Sequence, residues 1–352
     1  MVEGGSTRAY IGSFTSGGGR GITTATVDPA TGALTPLDGA ADGLPNPSWL
    51  ALAPRTGVLY ALSETDDGAV AAYRRTPQGV TLLGRPVPSG GTGPTHLSVA
   101  GGRLLTAHYG SGTVTSLPLG ADGTPGGPPS VLTHRGSGPD PDRQQGPHAH
   151  QVLSDPSGRW VLSVDLGTDS VRVCTLEPGS GELHMHAETA LRAGSGPRHL
   201  AFHPAGKVVY VLHELEPQLT VCRWDAADGR LVPVGEVAVL PADAPSGARP
   251  YPSVPAVSPD GRFLRAAVRG ADLIVTLSLA DGPEKPQPVD AVECGGTWPR
   301  DLVADPSRRR LYVCNEWSGD VTWFDADPLT GRLQRTGRLE VPAAACVLFD
   351  WS

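Results

Sequence analysis

Histidine, arginine and acidic residues recur at two kinds of position in this 352-residue chain. One group lies just after the proline that opens a short apolar segment, and the other ends the apolar segment that comes next. Arginine carries a fixed fork of donors that suits a carboxylate or phosphate, while an imidazole or carboxylate can take a proton from water. The residue types therefore indicate a site that binds a small anion and transfers protons. The first group is His96, His148, His150, Arg198, His199 and Arg300, and the second is Glu64, His108, Asp165, His213, Glu214, Arg269 and Asn315.

The segments that carry these residues repeat along the chain. Six prolines that open apolar runs stand about fifty residues apart, a period typical of propeller blades: Pro47, Pro94, Pro147, Pro197, Pro252 and Pro299. Short turns rich in glycine, at 155–159, 203–207 and 258–262, join the first two runs of a unit. A third run, a turn and a fourth run follow. Each unit is therefore predicted to be a four-stranded antiparallel sheet.

The two ends of the chain hold the parts of one more unit. Residues 9–14, 21–27 and 33–37 are expected to form its second, third and fourth strands, and residues 345–349 its first. Pairing the C-terminal strand with the N-terminal strands closes the ring and removes the exposed edges that an open array of blades would leave. The prediction is an all-β protein, a seven-bladed β-propeller of four-stranded antiparallel blades that forms a single domain over residues 1–352.

Strand direction assigns the ionisable residues to one face of this ring. We name the strands of a blade A to D from the axis outward. If every A strand begins at one mouth of the central channel, the ends of the B strands lie at that mouth too. Both groups of residues therefore gather there, whereas the turns at 155–159, 203–207 and 258–262 lie on the opposite face. The longest connections, 134–146 and 241–250, lead to the same mouth and are expected to shape the site.

Composition argues against several classes of partner. The net charge is −8 with no block of like charge, which disfavours a nucleic acid partner. No apolar run approaches the roughly 20 residues of a membrane helix, and the N-terminus lacks the pattern of an export signal. The five cysteines are dispersed and form no CxxC pair, as is typical of reduced thiols in a cytoplasmic protein. We therefore expect a cytoplasmic protein with no nucleic acid or membrane partner, and a monomer, since a closed ring pairs its own edges.

Several motifs resemble those of a known family. They are Pro147-His-Ala-His150, Gly196-Pro-Arg-His199 followed by Tyr210-Val-Leu-His-Glu-Leu215, and Arg269-Gly-Ala-Asp272. The chain resembles, over nearly its whole length, the lactonase family of seven-bladed propellers, which includes bacterial 6-phosphogluconolactonases and the fungal carboxy-cis,cis-muconate lactonising enzyme. The resemblance implies a site with no metal and no cofactor, built from one His, two Arg and one Glu.

Motif position carries these roles onto the chain. The resemblance assigns catalysis to His148 or His150 together with Arg198, Glu214 and Arg269. The arginines would hold the anion, and His148 or Glu214 would activate water. The implied reaction is hydrolysis of a small anionic lactone, with 6-phosphogluconolactone as the leading substrate. The other residues at the mouth are expected to contact this substrate: His150, His199, Arg300, Glu64, His96, His108, Asp165, His213 and Asn315.

Other interpretations of single residues stay open. The spacing of His148 and His150 also occurs in metal sites, although the sequence fixes no third ligand. One of these two histidines is also suited to line the channel as a neutral side chain. Arg198 is also placed to form a salt bridge with Glu214 or Asp165. Pairing of Glu214 with Arg198 would be compatible with catalysis but would not establish it.

Departures from the family pattern keep two other functions open. His108, His213 and Val268 stand where relatives commonly carry Asn, and Ala271 stands where they carry His. The lining of the pocket is therefore expected to differ. One alternative is a lactonising cyclase or lyase that acts on an unsaturated carboxylic acid. The other is a non-catalytic propeller that binds a metabolite or a protein, because a fold does not fix a function.

Overall fold

The turns identified in the sequence join strands as expected. The structure is a computed structural model, and it describes residues 7–37, 41, 43–53, 56–241, 248–305, 307 and 309–350. In this part of the chain, twenty-eight strands form seven four-stranded antiparallel sheets, and the helical structure is one short 3₁₀ turn, Thr15–Gly17. The predicted all-β, seven-bladed architecture is confirmed. No helix among the described residues is long and apolar enough to cross a membrane.

The strands follow one another from the axis outward in each blade. Blade 1 takes β1 (Arg8–Ser13), β2 (Ile22–Val27) and β3 (Leu34–Pro36) from the N-terminus. Blade 2 comprises β4 (Leu50–Leu52), β5 (Leu59–Ser63), β6 (Ala69–Thr76) and β7 (Gly79–Pro88). Blade 3 comprises β8 (Pro94–Ala100), β9 (Arg103–His108), β10 (Thr113–Pro118) and β11 (Ser130–Thr133). Blade 4 comprises β12 (Ala149–Ser154), β13 (Val161–Asp165), β14 (Ser170–Leu176) and β15 (Leu183–Ala190).

The remaining blades have the same order. Blade 5 comprises β16 (Pro197–Phe202), β17 (Val208–His213), β18 (Gln218–Asp225) and β19 (Arg230–Ala238). Blade 6 comprises β20 (Tyr251–Val257), β21 (Phe263–Arg269), β22 (Leu273–Ser278) and β23 (Gln287–Glu293). Blade 7 comprises β24 (Pro299–Ala304), β25 (Arg310–Asn315), β26 (Asp320–Ala326) and β27 (Leu333–Glu340). The last strand, β28 (Ala344–Phe349), is the A strand of blade 1.

Pairing of the two chain ends closes the ring. Strand β28 pairs antiparallel with β1, with Tyr10 opposite Leu348 and Ile11 opposite Val347. Both strands lie in one sheet with β2 and β3, so blade 1 is complete only when the C-terminus joins it. The predicted closure is confirmed, and it replaces an exposed strand edge by a hydrogen-bonded one.

Apolar side chains pack between neighbouring blades rather than in one central core. The B and C strands are apolar on both faces, so each blade buries one face against the blade before it and the other against the blade after it. Seven clusters of buried residues result, one at each junction. At the closing junction, Tyr312 and Trp323 of blade 7 pack with Ile11 and Phe349 of blade 1. Burial of each such side chain contributes roughly 1.5–3 kcal/mol, so every junction stabilises the ring.

A repeated hydrogen bond ties the blades together on the face opposite the mouth. The hydroxyl of Tyr60 in blade 2 donates to the Gly123 carbonyl of blade 3 at 2.6 Å. Tyr312 in blade 7 makes the equivalent bond to Gly32 of blade 1 at 2.7 Å. Each phenol thus buries its ring between blades and satisfies its polar end on the C–D turn of the next blade. These bonds therefore stabilise the junctions between blades on this face.

Candidate active site

A β-bulge at the start of the A strand places one residue of several blades at the mouth. In β16 the pairing with β17 shifts register between Pro197 and His199, so Arg198 between them has no partner in the ladder. The same register shift leaves His150 in β12 and Arg300 in β24 without a partner in the ladder. A bulge bends the strand and redirects the extra side chain. Three of the predicted residues therefore occupy one equivalent position in blades 4, 5 and 7.

Three guanidinium groups converge on Glu214, the residue that follows β17. Arg269 Nη2 donates to Oε2 at 2.7 Å, and Arg143 Nη2 donates to Oε1 at 2.5 Å. Arg198 Nε lies 3.0 Å from Oε2, but its N–H is not directed at the oxygen, so this contact is an ion pair without a hydrogen bond. The side chains of Glu214, Arg198 and Arg269 are at most 7% exposed. We call these four residues the Glu214 cluster.

Glu214 and Arg198 are charged at neutral pH, and hydrogen bonds hold the arginines of the cluster in place. Burial acts to raise the pKa of Glu214, but the surrounding arginines outweigh it and hold that pKa well below its usual range. Burial and the charge of Arg269 lower the pKa of Arg198 to about 9. Arg198 Nη1 donates to the Ser253 carbonyl at 2.6 Å, and Arg269 Nε donates to the Tyr251 carbonyl at 3.0 Å. The cluster is therefore preorganised across blades 5 and 6.

A second group of ion pairs centres on Arg300 of blade 7. Its Nη2 donates to both carboxylate oxygens of Glu64 at 3.2 Å, and its Nη1 donates to Glu316 Oε2 at 3.2 Å. Its guanidinium carbon lies 4.7 Å from the centre of the Phe14 ring. Burial acts to lower the pKa of Arg300, but the two carboxylates outweigh it and raise the pKa overall. We call Arg300, Glu64 and Glu316 the Arg300 cluster.

Three imidazoles pack with one indole near these clusters. The ring centre of His199 lies 5.5 Å from that of His96, 5.2 Å from His150 and 5.3 Å from Trp49. Burial, with the charge of Arg198, lowers the pKa of His96 to about 3 and those of His150 and His199 well below the usual range. All three are therefore neutral at pH 7. Among the described residues, neither ring nitrogen of His199 has a hydrogen-bond partner, nor has Nδ1 of His150.

His148 has different surroundings from these three histidines. It is half-buried, and its ring stacks on Tyr109 with 4.2 Å between centres. Its Nδ1 donates to the Tyr109 carbonyl oxygen at 2.6 Å, so a neutral ring carries its lone pair on Nε2. The Tyr109 hydroxyl accepts a hydrogen bond from Arg143 Nη2 at 3.1 Å. Tyr109 thus links His148 to the Glu214 cluster, and His148 is oriented to accept a proton.

Four of the predicted substrate contacts bond to nearby strands and connections of the protein. His108, Asp165, His213 and Asn315 each end a B strand, and all four are fully buried. His213 and Asn315 bond inside their own blades, to Thr220 at 2.7 Å and Asp320 at 2.9 Å. His108 bonds to Ser89 of the connection before blade 3 at 2.9 Å. Asp165 accepts hydrogen bonds from Arg172 at 3.0 Å, from His134 of the connection 134–146 at 2.6 Å, and from the His148 backbone at 2.9 Å. Burial lowers the pKa of His108 to about 4 and that of His213 to about 3, so neither is charged at pH 7. We propose that these four stabilise the end of the B strand and do not contact substrate.

The structure adds residues to the site that the sequence analysis did not single out. Arg143 lies in the connection 134–146, which was expected to shape the site, and it reaches Glu214. Tyr109 and Glu316 directly follow a B strand, as Glu214 does. Trp49 stands two residues after a repeat proline, the position of two of the histidines. Tyr109, Glu316 and Trp49 could therefore have been found by alignment of the repeats at the end of the B strand and after the proline.

The second long connection contributes one described residue to the mouth. Positions 242–247 of the connection 241–250 lie outside the described residues. Arg249 Nη2 donates to the Leu215 carbonyl at 3.1 Å, and its guanidinium carbon lies 5.4 Å from the centre of the Tyr251 ring. A further arginine therefore stands beside the Glu214 cluster, at the start of blade 6.

The donor set does not suggest a resident metal. Across the part of the chain that the structure describes, no three His, Cys, Asp or Glu side chains are arranged to hold a metal ion. The five cysteines are free and buried, and burial raises the pKa of the Cys174 and Cys222 thiols to about 12. These two thiols are therefore protonated and unreactive at neutral pH. The ionisable groups at the mouth are guanidinium, carboxylate and imidazole.

Comparison with known proteins agrees with the fold and the motifs. The family model described as Lactonase, 7-bladed beta-propeller matches residues 8–349, and the chain belongs to this family. It is 34% identical to the 6-phosphogluconolactonase of Bacillus subtilis over 346 residues, 97% of each protein. It is similar to the periplasmic gluconolactonase PpgL of Pseudomonas aeruginosa, with a TM-score of 0.89 and 29% identity over 97% of this chain and 98% of that one. A protein from Lactobacillus plantarum gives a TM-score of 0.90 and 30% identity over 98% and 99% of the two chains. The resemblance seen in the motifs is confirmed.

Proposed function

We propose that this chain hydrolyses a small anionic lactone, with 6-phosphogluconolactone as the leading substrate. The observation that supports the proposal is the Glu214 cluster, in which three guanidinium groups share one carboxylate. The cluster therefore keeps an excess of positive charge beside the mouth. Arginine forks match carboxylate and phosphate groups, which a lactone of this class carries. Similarity to a 6-phosphogluconolactonase supports the choice of substrate.

Water is activated by His148 in the proposed reaction. Because Nδ1 already donates to the Tyr109 carbonyl, Nε2 is the nitrogen that accepts a proton. A water oxygen attacks the lactone carbonyl carbon while Nε2 takes a proton from that water. An arginine of the Glu214 cluster stabilises the negative charge that develops on the carbonyl oxygen. The ring C–O bond then breaks, the leaving oxygen takes the proton from the imidazolium, and an open hydroxy acid is released.

Glu214 is assigned to positioning rather than to proton transfer. Its pKa is held well below the usual range, although burial opposes this shift, so its carboxylate is a weak base at neutral pH. Its oxygens contact Arg269 and Arg143 directly. We propose that Glu214 holds these guanidinium groups close together, which their mutual repulsion would otherwise prevent.

Release of acid at constant pH is the test of this proposal. The rate with protein is compared with the spontaneous rate of 6-phosphogluconolactone, which is measured alongside because such lactones open unaided. We expect Arg198→Ala to lower the catalysed rate about a hundredfold or more. Arg262→Ala is the matched control, since Arg262 pairs with Asp260 on the opposite face and its side chain is 47% exposed. Wild-type protein that hydrolyses neither this lactone nor other anionic lactones above the blank would refute the hydrolase.

The same residues also suit a different reaction, which gives the second candidate function. In a lactonising cyclase or lyase, a carboxylate oxygen of the substrate adds to a carbon–carbon double bond of the same molecule. The neighbouring carbon takes a proton as the double bond is lost, and arginines again hold the anion. Val268, His108 and His213 differ from the family pattern, but all three are fully buried within blades. His108 and His213 bond to Ser89 and Thr220 rather than to the arginines of the site, and we prefer hydrolysis. Ring closure of an unsaturated carboxylic acid, with no lactone hydrolysed, would instead support the cyclase.

We also propose that the protein acts as a cytoplasmic monomer without metal or cofactor, and without a nucleic acid or membrane partner. Pairing of β28 with β1 supports the monomer, since blade 1 is completed within one chain and no strand of a second copy is needed to close the ring. Light scattering after size exclusion tests the monomer. Dialysis against a chelator tests the metal, with unchanged activity expected. Cell fractionation tests the location, which matters because one similar structure is titled a periplasmic gluconolactonase.

A further inference from the structure

Two indole rings extend the mouth outward from the Glu214 cluster. Trp298 lies under Arg269, with the guanidinium carbon 5.3 Å from the ring centre. Trp317 stacks on Trp298 in parallel, with 3.7 Å between ring centres and 5° between planes. Trp317 is 63% exposed, which is unusual for so large an apolar side chain. The stack therefore runs from a buried catalytic arginine to an indole open to solvent.

Trp298 is held in a backbone conformation that a large side chain rarely adopts. Its φ is +66°, in the left-handed region, and it precedes Pro299. The residues before the equivalent prolines of blades 3 and 5 are Gly93 and Gly196, with φ of +55° and +60°. Glycine takes this conformation without strain, whereas tryptophan does not. Strain of this kind collects at functional sites, and here it places an indole where a glycine would suffice for the fold.

A cavity of about 460 Å³ adjoins the exposed indole and reaches the Arg300 cluster. Phe14, Glu316 and Trp317 line it together with Ser16, Gly17 and Ala343. Phe14 lies against the Arg300 guanidinium, and Glu316 accepts a hydrogen bond from Arg300. The cavity is therefore connected to both clusters. Trp317 and Trp298 link it to the Glu214 cluster, and Phe14 and Glu316 link it to Arg300.

Resting on the proposed function, we propose that Trp317 and Phe14, with Trp298 stacked behind Trp317, form a subsite for an uncharged ring carried by the lactone substrate. Aromatic faces are electron-rich and attract the C–H edges of an aryl or sugar ring. Glu316 can accept hydrogen bonds from ring hydroxyl groups, and its negative charge repels an anion. The anionic group of the substrate thus goes to the Glu214 cluster and its ring goes to the subsite. The substrates implied are aryl- or glycosyl-substituted lactones.

Matched pairs of lactones test this subsite. One pair is 5-oxotetrahydrofuran-3-carboxylate with a methyl or a phenyl group on the carbon next to the ring oxygen. The other pair is glucaro-1,4-lactone, which keeps a free carboxylate, and the same lactone with an added galactosyl ring. We expect Trp317→Ala to raise KM about tenfold for the ring-bearing member of a pair and to change the smaller member less than about twofold. Trp317→Phe should restore most of the loss. The pair that responds tells whether the ring is aryl or glycosyl.

Two controls keep the outcomes distinct. Leu329→Ala removes another large exposed side chain, 79% exposed and on the opposite face, and should change neither member. Calorimetric binding of the phenyl-bearing hydroxy acid product needs no turnover, and Trp317→Ala should weaken it about tenfold as well. Weaker binding without any lactone hydrolysis would support the subsite and reject the hydrolase. Equal effects on both members of each pair, or none, together with unchanged product binding, would overturn the subsite.

Discussion

The two ion-pair clusters at the mouth have opposite compositions. In the Glu214 cluster three arginines share one carboxylate, whereas in the Arg300 cluster two carboxylates share one arginine. The side chains of Glu214, Arg198 and Arg269 are 3–7% exposed and that of Arg143 is 31% exposed, while those of Arg300, Glu64 and Glu316 are 17–22% exposed. One half of the mouth is therefore basic and, apart from Arg143, buried, and the other is acidic and partly open to water.

This difference implies a division of labour between the two halves. Buried charges are stabilised only when each has a partner, so the Glu214 cluster depends on its carboxylate for stability as well as geometry. Partly exposed charges interact more weakly and are screened by salt. The basic half is therefore suited to a strong, fixed grip on an anion, and the acidic half to a weaker influence on which substrates approach.

Removal of one carboxylate from each cluster should have the most unequal effect. Glu214→Gln leaves buried arginines without their shared partner and is expected to lower the free energy of unfolding by about 3–5 kcal/mol. Glu64→Gln leaves Arg300 with its second carboxylate and should lower it by about 1 kcal/mol or less. Urea unfolding of the two variants measures both values. Equal losses would show that the clusters do not differ in burial as the structure indicates.

The pKa of Glu214 determines how the stability difference between wild type and Glu214→Gln changes with pH. Burial acts against the shift, but the arginines hold the folded-state pKa well below the usual value of 4.5. The stabilisation that the carboxylate provides is therefore complete above about pH 4.5 and is lost as the pH falls through the folded-state pKa. The difference in stability between wild type and Glu214→Gln should be constant near neutral pH and should narrow in acid. A difference that widens in acid would contradict this assignment.

Replacement of one arginine by lysine in each cluster should separate their effects on activity. Arg269→Lys keeps the charge but loses the fork that bonds Glu214 and the Tyr251 carbonyl, so kcat/KM should fall about a hundredfold. Arg300→Lys changes a partly exposed group and should lower kcat/KM only severalfold, mainly through KM. Initial rates with 6-phosphogluconolactone measure both.

Thermal unfolding is the control for that comparison, since a lysine that merely loosens the fold would lower Tm along with activity. We expect Tm of the Arg300→Lys variant to stay within about 1.5 °C of wild type, a shift that corresponds to roughly 1 kcal/mol in a chain of this size. Losses of similar size from both substitutions would mean that the two halves of the mouth take equal parts in catalysis.

The fold could be predicted from the sequence because its signals are local and repeated. Glycine-rich turns such as 155–159 and 203–207 fix each hairpin, and the period of the prolines fixes the number of blades. The closing strand β28 was also predictable, since the N-terminal segments supply three strands and a blade needs four. Side-chain alternation along a strand then assigns residues to faces only where the pairing is regular.

The site was less predictable because it depends on exact register. His213 and Glu214 are adjacent, yet His213 bonds to Thr220 inside the blade whereas Glu214 holds the arginines. The bulge at Arg198 disturbs the alternation that would have distinguished such neighbours. Arg143 comes from a long connection whose path the local sequence does not specify. The sequence therefore indicated which residues reach the mouth, but not which of them face it.

The smallest expected effect is a change in KM on removal of a carboxylate from the Arg300 cluster. This removal should improve activity, whereas the same removal from the Glu214 cluster should reduce it. Glu316→Gln removes a negative charge from the acidic half, where the side chain is 20% exposed, and should lower KM for 6-phosphogluconolactone about two- to threefold. This decrease in KM should disappear in about 1 M salt, because the Debye length there is only about 3 Å. Glu214→Gln, the same chemical change in the basic half, should instead reduce kcat, because it releases the arginines that Glu214 positions. Initial rates of both variants at low and high salt make the comparison. If Glu316→Gln raised KM, Glu316 would be a substrate ligand for this small lactone, and the acidic half would bind rather than repel.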